Sequence, residues 1–170
     1  MPVDLQALRI VHYPDPVLRL KARPVQAVTD EVRAVARRMI ELMHQARGVG
    51  LAAPQVGLSW RLFVANVTGE PDDDRVYINP VLSHPSRVTG PHEEGCLSIP
   101  EVTAEVTRPL SITIEALDEQ GRPFTMTSDG LAARAWQHEF DHLQGVLILD
   151  RMTPSDRMAN KRALRELERA

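Results

Sequence analysis

The string QHEFDHLQG, residues 137 to 145, holds two histidines and a glutamate at a spacing that can do chemistry. His138 and His142 stand four residues apart, and Glu139 directly follows the first. On a helix this spacing puts both imidazoles on one face, one turn apart, where they can share one metal ion. Neutral imidazole is a good ligand for zinc and for ferrous iron. A metal lowers the pKa of a bound water toward neutrality and makes hydroxide available. A carboxylate beside a ligand can take the water's proton and pass it to a leaving amine. Glu139 has the position for that role. Asp141 points elsewhere on a helix and is assigned a structural hydrogen bond. His12, His44, His84 and His92 lack any such spacing and are read as ordinary surface or core residues.

A metal held by protein takes three or four ligands, so a third must come from elsewhere. A third histidine in the arrangement of some metallopeptidases would fall at position 148, past Gly145, but that residue is Ile148. Glu166, in RALRELERA, stands at a workable distance for a glutamate ligand. It also has a plain explanation as an i,i+4 partner of arginine on a solvated face. Upstream, EEGCLSIP (93 to 100) contains the only cysteine, Cys96. A buried inert thiol is the ordinary reading of such a residue. With two histidines in hand, a thiolate completes a Cys-His-His set with one open position, the pattern of a catalytic site. The two candidates define two enzymes: a hydrolase built on Cys96, or a zinc-dependent peptidase with Glu166 as its downstream ligand.

A third stretch, GVGLAAPQ (48 to 55), fits the same picture. Glycine lets a backbone approach a ligand closely. A glutamine amide can donate to a developing oxyanion, which marks Gln55. A plain helix stop explains the same glycines.

These residues need a helix beneath the histidines and strands around it. That helix is expected from about Leu131, after Asp129-Gly130. Val32, Val35, Ala36, Met39, Ile40 and Met43 predict another helix over 30–46, capped by Thr29 or Asp30 and stopped at Gly48. RLFVANV (61 to 67) and VYINPVL (76 to 82) have strand character, with the acidic loop GEPDDDR before the second. Val102, Ala104 and Val106 alternate after the cysteine. SITIEAL (111 to 117) alternates strictly and turns through DEQGRP into FTMTS, a hairpin. The first 28 residues, punctuated by Pro14, Pro16 and Pro24, are expected to wind over the surface. Pro154 to Ala170 is expected as one helix capped by Ser155 or Asp156. Strands and helices mix without βαβ periodicity. The expected fold is therefore α+β, with antiparallel or mixed sheets around a central metal-binding helix and a C-terminal helix.

A length of 170 residues suits one domain, residues 1–170, and 43% hydrophobic with 25% charged residues suits a globular protein. The net charge of -3 gives no global pull toward nucleic acid or anionic lipid. No apolar run approaches the roughly 20 residues of a membrane span. The N-terminus lacks a charged n-region followed by an apolar h-region, so a cytoplasmic location is expected. One cysteine excludes an internal disulfide.

In order along the chain, GVGLAAPQ, EGCLS and QHEFDHLQG resemble the peptide deformylase family, over a span from about Gly48 to Met152. The resemblance implies an enzyme that removes the N-formyl group from N-formylmethionyl nascent peptides and releases formate. It implies one divalent metal held by Cys96, His138 and His142 plus a water, which is the nucleophile. Ferrous iron is favoured in cells, and zinc, nickel or cobalt can replace it. Glu139 would be the general acid/base, and the Gln55 side chain and the Leu97 backbone N–H would polarise the formyl oxygen. Val49, Gly50, Leu131, Arg134 and Glu94 form the expected substrate-binding set, around an apolar pocket for the methionine side chain. Two positions depart from some relatives. Arg134 replaces an apolar residue: it either lines the pocket with its stem and keeps its head in water, or widens and polarises the rim. Thr103 replaces an arginine. Arg108 is expected to pair with Glu94 and brace the Cys96 loop. Arg157, Lys161, Arg162, Arg165 and Arg169 outnumber the acids near the C-terminus. A solvated helix face accounts for them, and docking on the ribosome, as in some relatives, is the alternative.

Overall fold

The run Leu62-Phe63-Val64-Ala65 is buried at every position, so this strand must be covered on both faces. The computed structural model, which describes residues 2–170, shows what covers it. Its elements are α1 (Asp30–Gln45), β1 (Gly50–Ala52), β2 (Leu62–Ala65), β3 (Arg75–Ser83), β4 (Thr89–Cys96), β5 (Ile99–Pro109), β6 (Ile112–Leu117), β7 (Pro123–Ser128), α2 (Leu131–Leu143), α3 (Pro154–Ala159) and α4 (Lys161–Arg169). Five strands form one antiparallel sheet in the order β1-β2-β3-β6-β7, and β4 and β5 pair as a separate antiparallel hairpin.

Side-chain alternation sorts the large sheet onto two helices. Leu51, Leu62, Val64, Val76 and Ile78 pack with Val35, Met39 and Met43 of α1. Ala52, Phe63, Ala65, Tyr77 and Ile114 pack with Ala133, Trp136 and Leu143 of α2 on the opposite face. Trp136 stacks edge-on to Tyr77 and donates Nε1 to its hydroxyl at 3.0 Å, so its one polar atom is satisfied in the core. A third cluster joins Val102, Ala104 and Val106 of β5 to Leu147, Ile148, Leu149 and Leu164, and so closes the hairpin over the C-terminal segment. Among the described residues, no helix is long and apolar enough to cross a membrane.

The α+β class stands, and three local expectations are corrected. The first segment is not merely superficial: Leu18 is fully buried, and Leu8 and Ala22 are buried too. Asn79, in the left-handed region at the β3 bulge, holds this segment by exchanging hydrogen bonds with Val25 N and O at 2.8 and 2.9 Å. Helix α1 begins at the Thr29 cap, but its stop is Arg47 at φ 59°, and Gly48 only returns its N–H to Met43 O. The tail is two helices, not one. Thr153 caps α3 and accepts from Asp156 N at 3.1 Å. The helix then breaks at Asn160, whose amide donates to Thr103 O at 2.8 Å on the hairpin. A long-range bond to β5 competes with helix continuation there, and residue-level propensity does not register it.

Candidate metal centre and substrate cleft

Helix α2 turns one face to the sheet through Ala133, Trp136 and Leu143 and another to the β4–β5 hairpin. His138 and His142 lie on the hairpin side with ring centroids 5.1 Å apart. Cys96 ends β4, where the pairing slips: Gly95 faces Thr103, but Cys96 faces Ile99. The extra residues on β5 include Glu101 at φ 67°, a conformation that side chains other than glycine rarely take. At this bulge Cys96 meets α2, and Ser98 meets Gln55. One ligand atom each from Cys96, His138 and His142 then lies within 4.8 Å of the others. Cys96 Sγ is 3.4 Å from His142 Nε2. Tetrahedral bonds of roughly 2.0–2.3 Å place ligand atoms about 3.3–3.6 Å apart, a separation that the Cys96–His142 pair already has, and the three together could hold one small cation. Glu166 lies outside this group, exposed on α4, and accepts from Arg162 Nε at 3.3 Å.

A buried ionic cluster backs the trio. Along β5, Val102, Ala104, Val106 and Arg108 are all buried by strand alternation, so Arg108 is a cation at an inward position and requires partners. It donates Nε to Glu94 Oε2 at 2.6 Å and NH2 to Glu94 Oε1 at 2.9 Å. Its NH1 reaches Asp141 Oδ2 at 3.0 Å, and Arg151 doubles the grip on Asp141 at 2.5 and 2.9 Å. The expected Arg108–Glu94 pair and the structural part for Asp141 are both present. His138 Nδ1 sits 3.0 Å from Glu94 Oε1, which leaves Nε2 for the metal side. Burial alone would raise the Glu94 carboxyl, but the Arg108 and His138 hydrogen bonds hold it well below the usual range. With His138, Arg108 and Arg134 all on its oxygens, Glu94 lies in the cleft wall as a brace, not a free substrate contact.

Glu139 follows His138 and is buried, with Oε2 4.0 Å from His138 Nε2 and Oε1 without any hydrogen-bond partner. Burial pushes its carboxyl up to about 7, against the opposing pull of His138 and Arg108. Burial likewise lowers His142, which favours the neutral imidazole that ligates metal. His138 moves up: burial lowers it, but Glu139, Cys96 and Glu94 outweigh burial.

Gly50 explains itself here. A Cβ on it would lie 2.6 Å from Glu139 Oε2 and 2.9 Å from Cδ. Gly50→Ala is expected to displace the carboxylate and, for a shift of about 1 Å, to cut kcat on the order of 10²-fold. Activity assays with metal analysis would check this; unchanged kcat would mean that the carboxylate has room to move. After β1 a short 3-10 turn, Ala53–Val56, aims Gln55 at the same spot. Its Oε1 accepts from Ala52 N at 2.9 Å, and its Nε2 donates to Ser98 Oγ at 3.1 Å and approaches Cys96 Sγ at 3.6 Å. The N-terminal segment supports both loops from behind, through Val11 N to Gln55 O and Tyr13 N to Ser98 O, each 2.8 Å.

Above these groups opens a cleft of about 450 Å³. Val49, Gly50, Glu94, Leu97, Leu131 and Arg134 all line it, as do Gln55, Cys96, His138 and Glu139. A sequence model of the family described as polypeptide deformylase matches residues 7–158. A peptide deformylase of Chromohalobacter salexigens is 45% identical over 150 residues, 88% of this chain and 88% of that one. The chain belongs to the polypeptide deformylase family. The crystal structure of peptide deformylase from Plasmodium falciparum superposes with a TM-score of 0.91 at 38% identity, over 95% of each chain. A peptide deformylase structure from Legionella pneumophila gives 0.89 at 39% identity, over 95% of this chain and 96% of that one.

Within this deformylase-family cleft, one expectation about Arg134 is corrected. Its head is not in water: the side chain is 13% exposed, and the guanidinium is bonded to Glu94, Val106 O and Gly90 O. Sequence reasoning missed Ser98, which receives Gln55, and the rim residues Arg47, His92 and Glu101. Only the position of Ser98, two residues beyond Cys96, carried any signal for it. The rim residues are brought together by the docking of the hairpin, and their spacing carries none.

Proposed function

We propose that this chain is a metal-dependent amide hydrolase that removes the N-formyl group from N-formylmethionyl peptides and releases formate. We take residues 1–170 as one catalytic domain. The observation that carries the reading is the Cys96-His138-His142 trio beside a buried Glu139 at the base of the cleft. Family membership supports it.

Cys96, His138 and His142 would hold one divalent metal, and the donor set suits zinc and ferrous iron alike, with ferrous iron favoured in cells. When bound, the metal supplies a water acidified toward neutrality. Glu139 would serve as the proton carrier, holding the proton of the attacking water and passing it to the departing amine. The Gln55 amide and the Leu97 N–H donate to the oxygen on which negative charge develops. Gln55 is held for this by Ala52 N and Ser98 Oγ, so little reorganisation is needed. Val49 and Leu131, both about half exposed at the rim, cover the methionine side chain together with the stem of Arg134. The peptide lies extended along β1, an edge strand whose Gly50 lines the cleft.

The test is formate release from formyl-Met-Ala-Ser under anaerobic conditions, with iron-, nickel- and zinc-loaded protein. Release with at least one metal is expected, and none from folded, loaded protein would sink the reading. Gln55→Leu is expected to lower kcat about 10²–10³-fold with metal content unchanged, as for loss of one oxyanion donor. An unaltered kcat would remove Gln55 from the mechanism. The exposed cations Arg162, Arg165 and Arg169 of α4 add a ribosome-docking arm to the reading, while Leu164 anchors the helix to the core. Salt-sensitive co-sedimentation with ribosomes, lost when these three are changed to glutamate, is expected; binding that survives the change would reject that arm.

A further inference from the structure

Arg134 stands one helical turn before His138 on α2. Its NH1 donates to Glu94 Oε2 at 2.8 Å and to Val106 O at 3.0 Å, and its NH2 donates to Gly90 O at 2.8 Å. All three acceptors belong to the β4–β5 hairpin that carries Cys96. Glu94 in turn meets His138 Nδ1 at 3.0 Å. Positions 134, 138 and 141 share one face of α2 by helical spacing. Asp141 is tied to the same hairpin through Arg108 at 3.0 Å. The helix is thus pinned to the hairpin on both sides of His138. Arg108 reaches Glu94 from the neighbouring strand, so that pair holds the carboxylate within the hairpin. Arg134 reaches the same carboxylate from the helix.

We infer that Arg134 is a positioning residue, which through Glu94 sets the orientation of His138 toward Cys96 and so the grip of the trio on its metal. The inference rests on the reading of Cys96, His138 and His142 as metal ligands. The guanidinium is committed to the hairpin and offers its aliphatic stem, not its charge, to a bound peptide. Partners of a ligating histidine's second nitrogen fix its tautomer and ring orientation, and their loss typically costs 10–100-fold in metal affinity or activity. Losing Arg134 leaves Glu94 charged and bonded to Arg108, but free to shift with the hairpin relative to the helix.

Arg134→Leu keeps most of the stem and removes the donors. Arg134→Lys keeps the charge but cannot reach three acceptors with a planar fork. Gln137→Leu is the comparator, because Gln137 Nε2 also crosses from α2 to the hairpin, at Pro109 O and 3.0 Å, without touching Glu94. Each variant is loaded with zinc, and transfer of zinc to a chromogenic chelator is timed. The kcat and KM on formyl-Met-Ala-Ser are measured alongside, with melting of the metal-free forms as the control for folding.

Arg134→Leu is expected to release zinc about 10–100-fold faster and to lose kcat in step. Its KM should stay within about twofold, since leucine keeps the apolar stem that faces the substrate and removes only the donors to the hairpin. Arg134→Lys should fall between it and the wild type, and Gln137→Leu should keep the wild-type release rate. An unchanged release rate in Arg134→Leu overturns the inference, as does equal acceleration in Gln137→Leu. If Arg134→Leu does not fold, Arg134→Lys decides, and a wild-type release rate there overturns it. A wild type that holds zinc but yields no formate would sink the hydrolase reading, while the zinc-release series still decides the part of Arg134.

Discussion

Glu139→Gln should leave the metal bound and lower kcat for deformylation by about 10²–10⁴-fold, the range for loss of a positioned general base. The substitution is nearly isosteric, and the side chain lies wedged between Gly50 and His138, so the fold has no cause to rearrange. Its oxygen Oε1 has no partner, so no hydrogen bond is broken there. What disappears is the proton acceptor. A second readout follows from the burial that pushes this carboxyl up to about 7. A group whose folded pKa is raised costs the fold stability once pH exceeds its unfolded value near 4.5, and the full cost applies above the folded value. For the metal-free protein the cost is on the order of 3 kcal/mol. Metal-free Glu139→Gln should therefore melt higher than the wild type at pH 8, with the gap closing as pH falls toward 4.5. Formate release at the wild-type rate would remove Glu139 from the chemistry, and a gap independent of pH would show that the carboxyl is not strained by burial.

Cys96→Ala should abolish stoichiometric metal binding and formate release together, and Glu166→Ala should change neither. The thiol sits 3.4 Å from His142 Nε2 at the end of a strand whose bulge holds it there. Without it two imidazoles remain, short of the three protein ligands a catalytic site uses. Glu166 is exposed on α4 and paired with Arg162, so its loss removes one solvated ion pair of at most about 0.5 kcal/mol. Metal analysis after gel filtration decides between the two. Retained metal in Cys96→Ala, or lost metal in Glu166→Ala, would restore the peptidase arrangement that the sequence also allows.

Much of the fold and of the site is legible in the residues alone. The histidine spacing works because α-helical geometry is local: residues four apart share a face wherever the helix sits. The same holds for the alternation that makes Ile112, Ile114 and Ala116 of β6 an inward face. Breaks caused by distant partners are not legible in this way. Asn160 interrupts the tail because it bonds to Thr103, and Asn79 bends β3 while holding Val25. Each depends on a residue more than fifty positions away.

Residue type and short-range periodicity are sufficient for the donor set, the neighbouring carboxylate and the elements that carry them, so these follow from the chain's order of amino acids. The meeting of Cys96 with histidines more than forty residues away does not follow from that order and comes from the folded arrangement. It requires the β4–β5 hairpin to dock on α2 through Arg108, Asp141 and Glu94. The inward turn of the Arg134 head has the same origin. A long flexible side chain takes the direction its neighbours allow, and here three acceptors on the hairpin outcompete water.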